Sequence, residues 1–175
     1  MRQIDKLPLP VKDAPGFLVN RVLGPYMQNA FHMIEEGVKP ETLDKAMERF
    51  GMPMGPAELA DTVGLDICLA AGKQLAKGAS HVPEFLAQKV ALGQLGKKSG
   101  QGIYKWVDGK PMKGAPDAVD QQLIDSLVEP YVHEAAAAVK EGIVADAELA
   151  DAGLIFGTGF APFRGGPLHY LKNKK

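Results

Sequence analysis

Asn20 is the side chain in this 175-residue sequence whose type and position best suit a chemical role. It follows Pro15 and Gly16 and lies one turn into a stretch with the apolar spacing of a long helix, where its amide could point into a cleft. A polar residue near a helix start is also favoured simply because it caps or solvates the helix end. The local pattern alone favours that structural interpretation.

The histidines and the single cysteine form no recognisable catalytic group. His32 has acidic residues three and four positions further on, but this set does not complete a metal site, and a solvated helix face is the simpler interpretation. His133 and Glu134 are neighbours in sequence and therefore point apart on a helix. Cys68 lies in an apolar run, which indicates a small core residue and not a nucleophile.

Two glycine-rich runs, at residues 96–102 and 157–160, raise the question of nucleotide binding. Neither run follows a predicted strand, and the first lacks the Gly-Lys-Ser/Thr order of a Walker loop. A dinucleotide fingerprint needs a strand before it and a helix after it. We therefore expect both runs to form tight backbone turns, which is the usual role of glycine.

The overall composition excludes several classes of protein. Twenty basic and twenty-one acidic residues give a formal net charge of -1, whereas proteins that bind phosphate backbones usually carry a basic excess. No segment approaches the roughly 20 apolar residues of a membrane span. Charges and prolines occupy the N-terminus where a signal peptide would carry its apolar stretch. We expect a cytoplasmic protein, or one that reaches an organelle lumen by a signal that is not visible here.

The elements that position these residues are predicted to be mostly helices. Apolar residues recur at helical spacing between glycines that suit helix ends and prolines that suit first turns. One short segment instead alternates like a hairpin and contains an Asp-Gly turn. The sequence predicts helices over about 16–37, 40–51, 56–70, 83–90, 116–142 and 146–156, a hairpin over 103–109, a Gly/Pro-rich turn over 157–167 and a short last helix.

The two halves of the chain resemble each other, which predicts an internal repeat. The counterpart of Asn20 is Asp125, so the role of Asn20 is not repeated. Amphipathic units of this kind bury their apolar faces best against each other, as a dimer would. The matching pairs are Pro25-Tyr26 with Pro130-Tyr131, Glu36-Gly37 with Glu141-Gly142, Phe50-Gly51 with Phe156-Gly157, and Gly55-Pro56 with Gly166-Pro167.

This repeat divides the chain into four predicted segments. Residues 1–12 form an extended arm, 13–95 a first helical repeat, 96–115 a hairpin linker and 116–175 a second, degenerate repeat. The arm contains two prolines and cannot be helical.

Five motifs carry a resemblance to a known family. Residues 13–21, Asp-Ala-Pro-Gly-Phe-Leu-Val-Asn-Arg, closely resemble a signature of the C-terminal domain of 3-hydroxyacyl-CoA dehydrogenases. Residues 51–56, 59–66 and 98–104 are similar to later motifs of the same domain and occur in the same order. Residues 157–167 resemble a turn of the multifunctional β-oxidation proteins, which carry two copies of this domain. The resemblance covers nearly the whole chain.

The resemblance implies an all-α fold like the C-terminal domain of 6-phosphogluconate dehydrogenase, with two helical repeats packed as a pseudo-dimer. It implies an acyl-CoA site in a cleft between this domain and an NAD-binding Rossmann domain that supplies a His-Glu base. Asn20 would be catalytic and would bind substrate, because an amide donates and accepts hydrogen bonds without titrating near neutral pH. Pro53, Met54, Gly55 and Pro56 would be further substrate-binding residues. Lys97, Lys98 and Arg164 could meet a CoA phosphate, although surface charge explains them more simply.

The sequence contains no match to the Rossmann domain, its His-Glu pair or the hydratase domain of the fused enzymes. We therefore expect a fragment or a truncated reading frame, with NAD bound by the missing domain in cis or in trans. The expected function is the substrate side of an NAD-dependent 3-hydroxyacyl-CoA dehydrogenase of fatty-acid β-oxidation, inactive alone. Pseudo-dimerisation predicts a monomer, although exposed apolar surface could drive homodimerisation.

Two alternative functions remain. The first is a non-catalytic helical scaffold or dimerisation module. The second is another two-domain dehydrogenase, such as one acting on sugar acids, which shares the helical fold but lacks this combination of motifs.

Overall fold

A computed structural model describes residues 8–75 and 83–174 of the chain, and this part is mostly helical. A two-stranded antiparallel hairpin separates the helices of the two halves. Short 3-10 turns cover Lys97–Ser99 and Pro162–Arg164. The helices are α1 (Val19–Glu35), α2 (Pro40–Phe50), α3 (Pro56–Val63), α4 (Leu65–Leu75), α5 (Glu84–Ala91), α6 (Gln121–Lys140), α7 (Ala147–Thr158) and α8 (Pro167–Asn173), and the strands are β1 (Lys105–Val107) and β2 (Lys110–Met112).

Prolines and glycines set most helix boundaries where the sequence predicts them. Pro40 and Pro56 occupy first turns, where the missing N–H costs no hydrogen bond. Gly51 ends α2 with φ 115°, a left-handed conformation that glycine adopts without strain. The predicted hairpin is confirmed, and Asp108 and Gly109 both have positive φ in its two-residue turn.

The predicted third helix is wrong in one respect, because Gly64 divides it into α3 and α4. Gly64 has φ 111° and ψ 128°, which no helical residue adopts, and its N–H still bonds the carbonyl of Ala60. The N–H of Leu65 then turns away to the carbonyl of Leu95. Apolar spacing continues across the break, so the periodicity conceals it.

Helix α6 begins at Gln121, later than the predicted start near residue 116. Asp120 is its N-cap, and its carboxylate accepts a hydrogen bond from the N–H of Leu123 at 2.8 Å. The preceding residues lie along α2, where the N–H of Asp117 donates to Thr42 and the Arg49 side chain donates to the carbonyl of Val119. Contacts with α2 therefore keep this segment extended.

The two halves share one hydrophobic core around the packed pair α1 and α6. Pro25 and Pro130 lie inside these helices at matching places, each followed by a buried tyrosine. The rings of Tyr26 and Tyr131 contact each other edge to face, with centroids 5.9 Å apart. Equivalent residues that touch lie close to an axis of twofold pseudo-symmetry, so the pair locates that axis between α1 and α6.

Buried aspartates join consecutive helices in both halves. The Asp44 carboxylate on α2 accepts hydrogen bonds from the N–H groups of Ala57 and Glu58 at the start of α3. Asp151 on α7 accepts the corresponding bonds from Leu168 and His169 at the start of α8. Each carboxylate binds N–H groups that the first turn of a helix leaves without partners.

These aspartates show that one predicted repeat pair is out of register. Phe50 is 1% exposed and belongs to the core, whereas its predicted counterpart Phe156 is 73% exposed on α7. The left-handed residue that ends α7 is Gly159, two positions after the glycine that the repeat predicts. Because Asp44 and Asp151 both stand fifth in their helices, α7 aligns with α2 one residue later than expected.

A third buried carboxylate fixes the hairpin segment on α3. Asp61 is fully buried and accepts hydrogen bonds from the N–H groups of Ile103 and Tyr104 and from the indole of Trp106. The segment between the two predicted repeats is therefore packed against the first half.

We predict that Gly55→Ala strongly destabilises the chain. A β-carbon at Gly55 would lie 2.1 Å from the α-carbon of Asp44, so α2 and α3 would have to separate. The free energy of unfolding, measured by urea denaturation, should fall by about 3 kcal/mol or more. Gly72→Ala is the matched control, because nothing lies within 4 Å of its β-carbon and it is helical. That change should raise stability by up to about 1 kcal/mol, and equal effects of the two substitutions would contradict the prediction.

Candidate functional site

A large cleft among the described residues lies beside α1, facing α3, α4 and α5. Its volume is about 700 Å³, which is in the range of small-molecule sites. Along α1 the lining extends from Asn20 and Arg21 through Leu23 and Met27 to Phe31. The cleft is therefore polar near the start of α1 and mainly apolar further along the helix, where Gln28 is the polar residue of the α1 lining.

Asn20 lies at the polar end of this cleft on the first turn of α1. Gly16 and Phe17 both have positive φ, and the turn that they make directs the chain into the helix. A β-carbon at Gly16 would lie 2.9 Å from the N–H nitrogen of Arg21, so glycine is required there. The Asn20 side chain is exposed, and no described residue hydrogen-bonds it. Its amide is thus available to a ligand in the cleft.

Arg21 connects this end of the cleft to the second half of the chain. Its Nε donates to Glu134 on α6 at 2.6 Å, and its two terminal nitrogens bind Glu141 at 2.7 and 2.9 Å. Hydrogen bonding to Glu141, and then to Glu134, raises the pKa of Arg21 above its ordinary value although burial opposes this. The guanidinium is therefore permanently charged, and its ion pairs join the start of α1 to α6.

The far walls of the cleft are apolar and partly open to solvent. Val63 on α3 is 48% exposed and Ile67 on α4 is 52% exposed, and both line the cleft. Behind them is a small core cluster of Phe31, Ala60, Leu65 and Leu86. Exposed apolar side chains above a packed floor form a surface suited to an apolar ligand.

Cys68 lines the same cleft but is not a reactive thiol. Burial raises the pKa of this thiol to about 11, and the charges of Asp61 and Asp66 act in the same direction. The thiolate that nucleophilic chemistry requires is therefore scarce at neutral pH. The interpretation of Cys68 as a packing residue agrees with these surroundings.

The four predicted residues of the Pro53–Pro56 segment lie outside the large cleft. Pro53 and Met54 line a neighbouring hollow of about 80 Å³, together with Tyr26 and Tyr131. Gly55 and Pro56 are buried and bring α2 against α3. Contact of this segment with substrate stays a prediction, while the structure gives its last two residues a packing role.

The three basic residues considered as phosphate ligands all have local contacts. Lys98 forms an ion pair with Asp66 at 2.6 Å, and Lys97 lies over the ring of Trp106. Arg164 donates to the carbonyl of Phe50 and stacks on its ring, 4.1 Å from the centroid. These contacts explain the three residues without a ligand.

Among the described residues, no group of three or more metal-ligating side chains is close enough to hold an ion. His32 lies 3.7 Å from Glu35 on the surface of α1, and His133 is exposed on α6. Within the same part of the chain, no helix has both the length and the apolar character needed to cross a membrane.

Sequence reasoning did not anticipate the ion pairs of Arg21. Their partners lie 113 and 120 residues away, and no local spacing connects them. The repeat offered one indication of these ion pairs. It makes Glu141 of the second half the counterpart of Glu36, which lies near the end of α1. A pseudo-dimer brings the start of one long helix close to the end of the other.

Comparisons with known proteins agree on one family. Residues 16–106, more than half of the chain, match the model of the 3-hydroxyacyl-CoA dehydrogenase, C-terminal domain. The chain is 37% identical to the fatty acid oxidation complex subunit alpha of Psychrobacter sp. (strain PRwf-1) and 38% identical to that of Pseudomonas savastanoi pv. phaseolicola. These alignments cover 97% of this chain and 27% of each relative, so the chain spans about a quarter of their length.

Solved structures show the same fold. A 3-hydroxybutyryl-CoA dehydrogenase from Escherichia coli K12 superimposes with a TM-score of 0.73 at 23% identity, over 95% of this chain and 54% of that one. The dehydrogenase part of a multifunctional enzyme from C. elegans has a TM-score of 0.66 at 26% identity, covering 88% and 39% of the two chains. Both comparisons extend well beyond residue 106, so the second half belongs to the shared fold.

We predict that the two ion pairs of Arg21 contribute unequally to stability. In double-mutant cycles with Arg21→Met, the coupling to Glu134→Gln should be about 1 to 2 kcal/mol, and the coupling to Glu141→Gln should be smaller. The Glu134 side chain is 27% exposed and that of Glu141 is 55% exposed, so water screens the second pair more. Urea denaturation at low and high salt measures both couplings, and a larger or less salt-sensitive coupling to Glu141 would refute this ordering.

Proposed function

This chain belongs to the 3-hydroxyacyl-CoA dehydrogenase C-terminal domain family, and on that premise we propose that it forms the substrate side of such an enzyme. In this proposal it binds a 3-hydroxyacyl-CoA beside α1 and presents Asn20 to the reacting part of the substrate. The reaction is oxidation of the 3-hydroxyl to a ketone in fatty-acid β-oxidation. The cofactor NAD and the catalytic base come from a Rossmann domain, either in the same longer polypeptide or in a separate one.

The observation that carries the proposal is the position of Asn20. Its exposed amide, which no described residue hydrogen-bonds, lies at the polar end of the cleft, one turn of α1 before the apolar Leu23. A 3-hydroxyacyl thioester has the same arrangement, with oxygen atoms next to an alkyl chain. The amide NH2 can donate to the substrate oxygen both while it is a hydroxyl and after it has become a carbonyl, so in one orientation it can hold both the alcohol and the ketone.

The proposed site is centred on the first half of the chain, and the second half contributes Glu134, Glu141 and Ile143 to its lining. Asp125, the counterpart of Asn20, receives a hydrogen bond from Gln121 and forms an ion pair with Lys174 at 3.2 Å. These contacts lower the pKa of Asp125 below its ordinary value, with the Gln121 hydrogen bond as the main cause. A charged and paired carboxylate is unsuited to the place that an amide occupies in the first half.

The described residues do not fit NAD. The only strand pair among them is the antiparallel hairpin, and no strand leads into a glycine-rich helix start. Gly96 and Gly102 contact Asp61 so closely that neither position has space for a β-carbon. This glycine-rich run therefore packs against α3 and is not a phosphate-binding loop. Hydride transfer is accordingly assigned to the Rossmann domain, and the proposed contribution of this chain is binding, orientation and exclusion of water.

Orientation alone is a large contribution to such a reaction. The donor carbon and the base must be held at contact distance and correct angle, and preorganised contacts supply several kcal/mol of the barrier reduction. Arg21 supports this geometry indirectly, because its ion pairs fix the first turn of α1, which carries Asn20, to α6. An isolated chain without base or cofactor should show no turnover.

We predict that Asn20→Ala lowers kcat by roughly 100-fold when the chain is combined with a separately expressed NAD-binding domain of this family, since one hydrogen bond to the reacting oxygen is lost. The measurement is NADH formation from a 3-hydroxyacyl-CoA. Asn173→Ala on α8 is the matched control. The Asn173 side chain donates only to the carbonyl of His169, and neither residue lines the cleft.

Turnover that requires both polypeptides and depends on Asn20 would support the proposal. An unchanged kcat/KM in Asn20→Ala would remove Asn20 from the reaction. No turnover, with both polypeptides folded and associated, would favour the scaffold alternative.

A further inference from the structure

We propose that Glu134, in the second half of the chain, is a positioning residue of the site and acts through its ion pair with Arg21. In this inference the pair fixes the first turn of α1 and thereby holds Asn20 in the orientation that the reaction requires. Glu134 itself needs no contact with the reacting atoms. The inference rests on the proposed function and adds a residue of the second half to the groups on which the reaction depends.

The packed pair of α1 and α6 contains an internal comparison, because the pseudo-symmetry gives its two ends equivalent residues. At the end that carries the site, Arg21 Nε donates to Glu134 at 2.6 Å. The repeat makes Ser126 the counterpart of Arg21 and Asn29 the counterpart of Glu134. At this opposite end, Asn29 Nδ2 donates to the backbone carbonyl of Ser126 at 2.9 Å. The same helix contact is therefore charged at one end and neutral at the other.

The third member of each set differs in the same way. Glu141 accepts hydrogen bonds from the two terminal nitrogens of Arg21. Its counterpart Glu36 is exposed and forms no ion pair with another described residue. Because a neutral hydrogen bond suffices at the opposite end, packing of the two helices does not by itself account for the charges. They lie at the end that carries Asn20.

The start of α1 needs support from outside the helix. Phe17 has φ 50°, which is unfavourable for a residue with a side chain, and the N-cap Leu18 offers no side-chain hydrogen bond. Helix α6 instead begins with Asp120, whose carboxylate accepts a hydrogen bond from the N–H of Leu123. The first turn of α1 thus lacks the cap that α6 has, and the ion pairs of Arg21 join this turn to α6.

The geometry of the pair suits a positioning role. Arg21 and Glu134 line the cleft beside Asn20, and their side chains are 18% and 27% exposed, so solvent screens this pair less than a surface pair. The three hydrogen bonds of the guanidinium also fix its direction, because its donors form a rigid planar fork. Displacement of a reacting group by about 1 Å can cost up to about 100-fold in rate.

The test replaces the charged pair by the chemistry of the opposite end, in the double variant Arg21→Ser/Glu134→Asn. When this variant is combined with the NAD-binding domain, kcat for 3-hydroxybutyryl-CoA should fall about tenfold. Asn20→Ala should then cost only about tenfold more, against roughly 100-fold in the parent chain, because the amide is already misplaced. Asn29→Ala is the matched control. It removes the hydrogen bond at the opposite end, lies outside the cleft lining, and should leave kcat unchanged.

A second measurement uses the chain alone and does not depend on the NAD-binding domain. The N–H of Asn20 donates to the carbonyl of Gly16 at 3.1 Å, within the turn that the ion pair is proposed to hold. Its hydrogen exchange should be about tenfold faster in the double variant, relative to N–H groups in the middle of α1. Asn29→Ala should leave this rate unchanged. Glu134→Gln, which keeps the size of the side chain, should show a smaller increase and replaces the double variant if that variant does not fold.

The outcomes separate this inference from the function on which it rests. If Asn20→Ala costs the same factor with and without the ion pair, Glu134 does not act through Asn20, and the inference is overturned while the proposed function stands. An unchanged exchange rate at Asn20, or an equal loss of kcat in Asn29→Ala, would overturn it as well. If the parent chain shows no turnover, the proposed function fails, and the exchange rate still decides whether the ion pair holds the turn.

Discussion

The helix junctions that shape this molecule depend on buried carboxylates that bind backbone N–H groups. Asp44, Asp61 and Asp151 are at most 8% exposed, and each accepts at least two such bonds. Burying a charge is costly unless hydrogen bonds replace the lost water, and burial raises the pKa of Asp44 and Asp151. Backbone can approach these carboxylates only where no β-carbon intervenes. Glycine therefore lies against each of these aspartates, and an added β-carbon would come within 2.1 to 2.3 Å of an aspartate atom at Gly55, Gly96, Gly102 and Gly166.

The position of the cleft follows from two of these carboxylates. Asp44 holds the start of α3 against α2, and Asp61, on α3 itself, holds the hairpin segment. The hydroxyl of Tyr104 donates to Asp44, and Lys113 forms ion pairs with Asp44 and Glu58, so the two clusters are connected. Helix α3 is thereby fixed at both ends, and Leu59 and Val63 on its free face have defined places in the cleft wall. These polar contacts, together with the buried Ala57 and Ala60 of α3, hold the helix that carries the apolar wall.

Much of this could be predicted from sequence because it depends on local chemistry. First-turn prolines, glycines at helix ends and the Asp-Gly turn predicted the elements, and the motif around Asn20 predicted the family. Three kinds of feature could not be predicted. Apolar spacing continues through Gly64, so the break is set by the bond from Leu65 to Leu95. Contacts with α2 make α6 begin later in the sequence than predicted. The alignment of α7 with α2 in the repeat depends on the hydrogen bonds of Asp151. The cleft and the partners of Arg21 join residues far apart in the chain, and only the fold brings them together.

The pseudo-symmetry explains how a duplicated fold can differ on its two long helices, as the proposed site requires. Both halves repeat the parts that hold helices together, namely the proline–tyrosine pairs at the axis and the aspartate that caps the following helix. What differs is the surface of the long helix. Helix α1 presents Asn20, Leu23 and Met27 to a cleft, whereas α6 presents the ion-paired Asp125 and the exposed Glu129 and His133. Helix α6 instead buries its apolar residues against α1 and supplies Glu134 to Arg21. The second half thus supports the helix on which the proposed site lies, through the shared core and the ion pairs of Arg21.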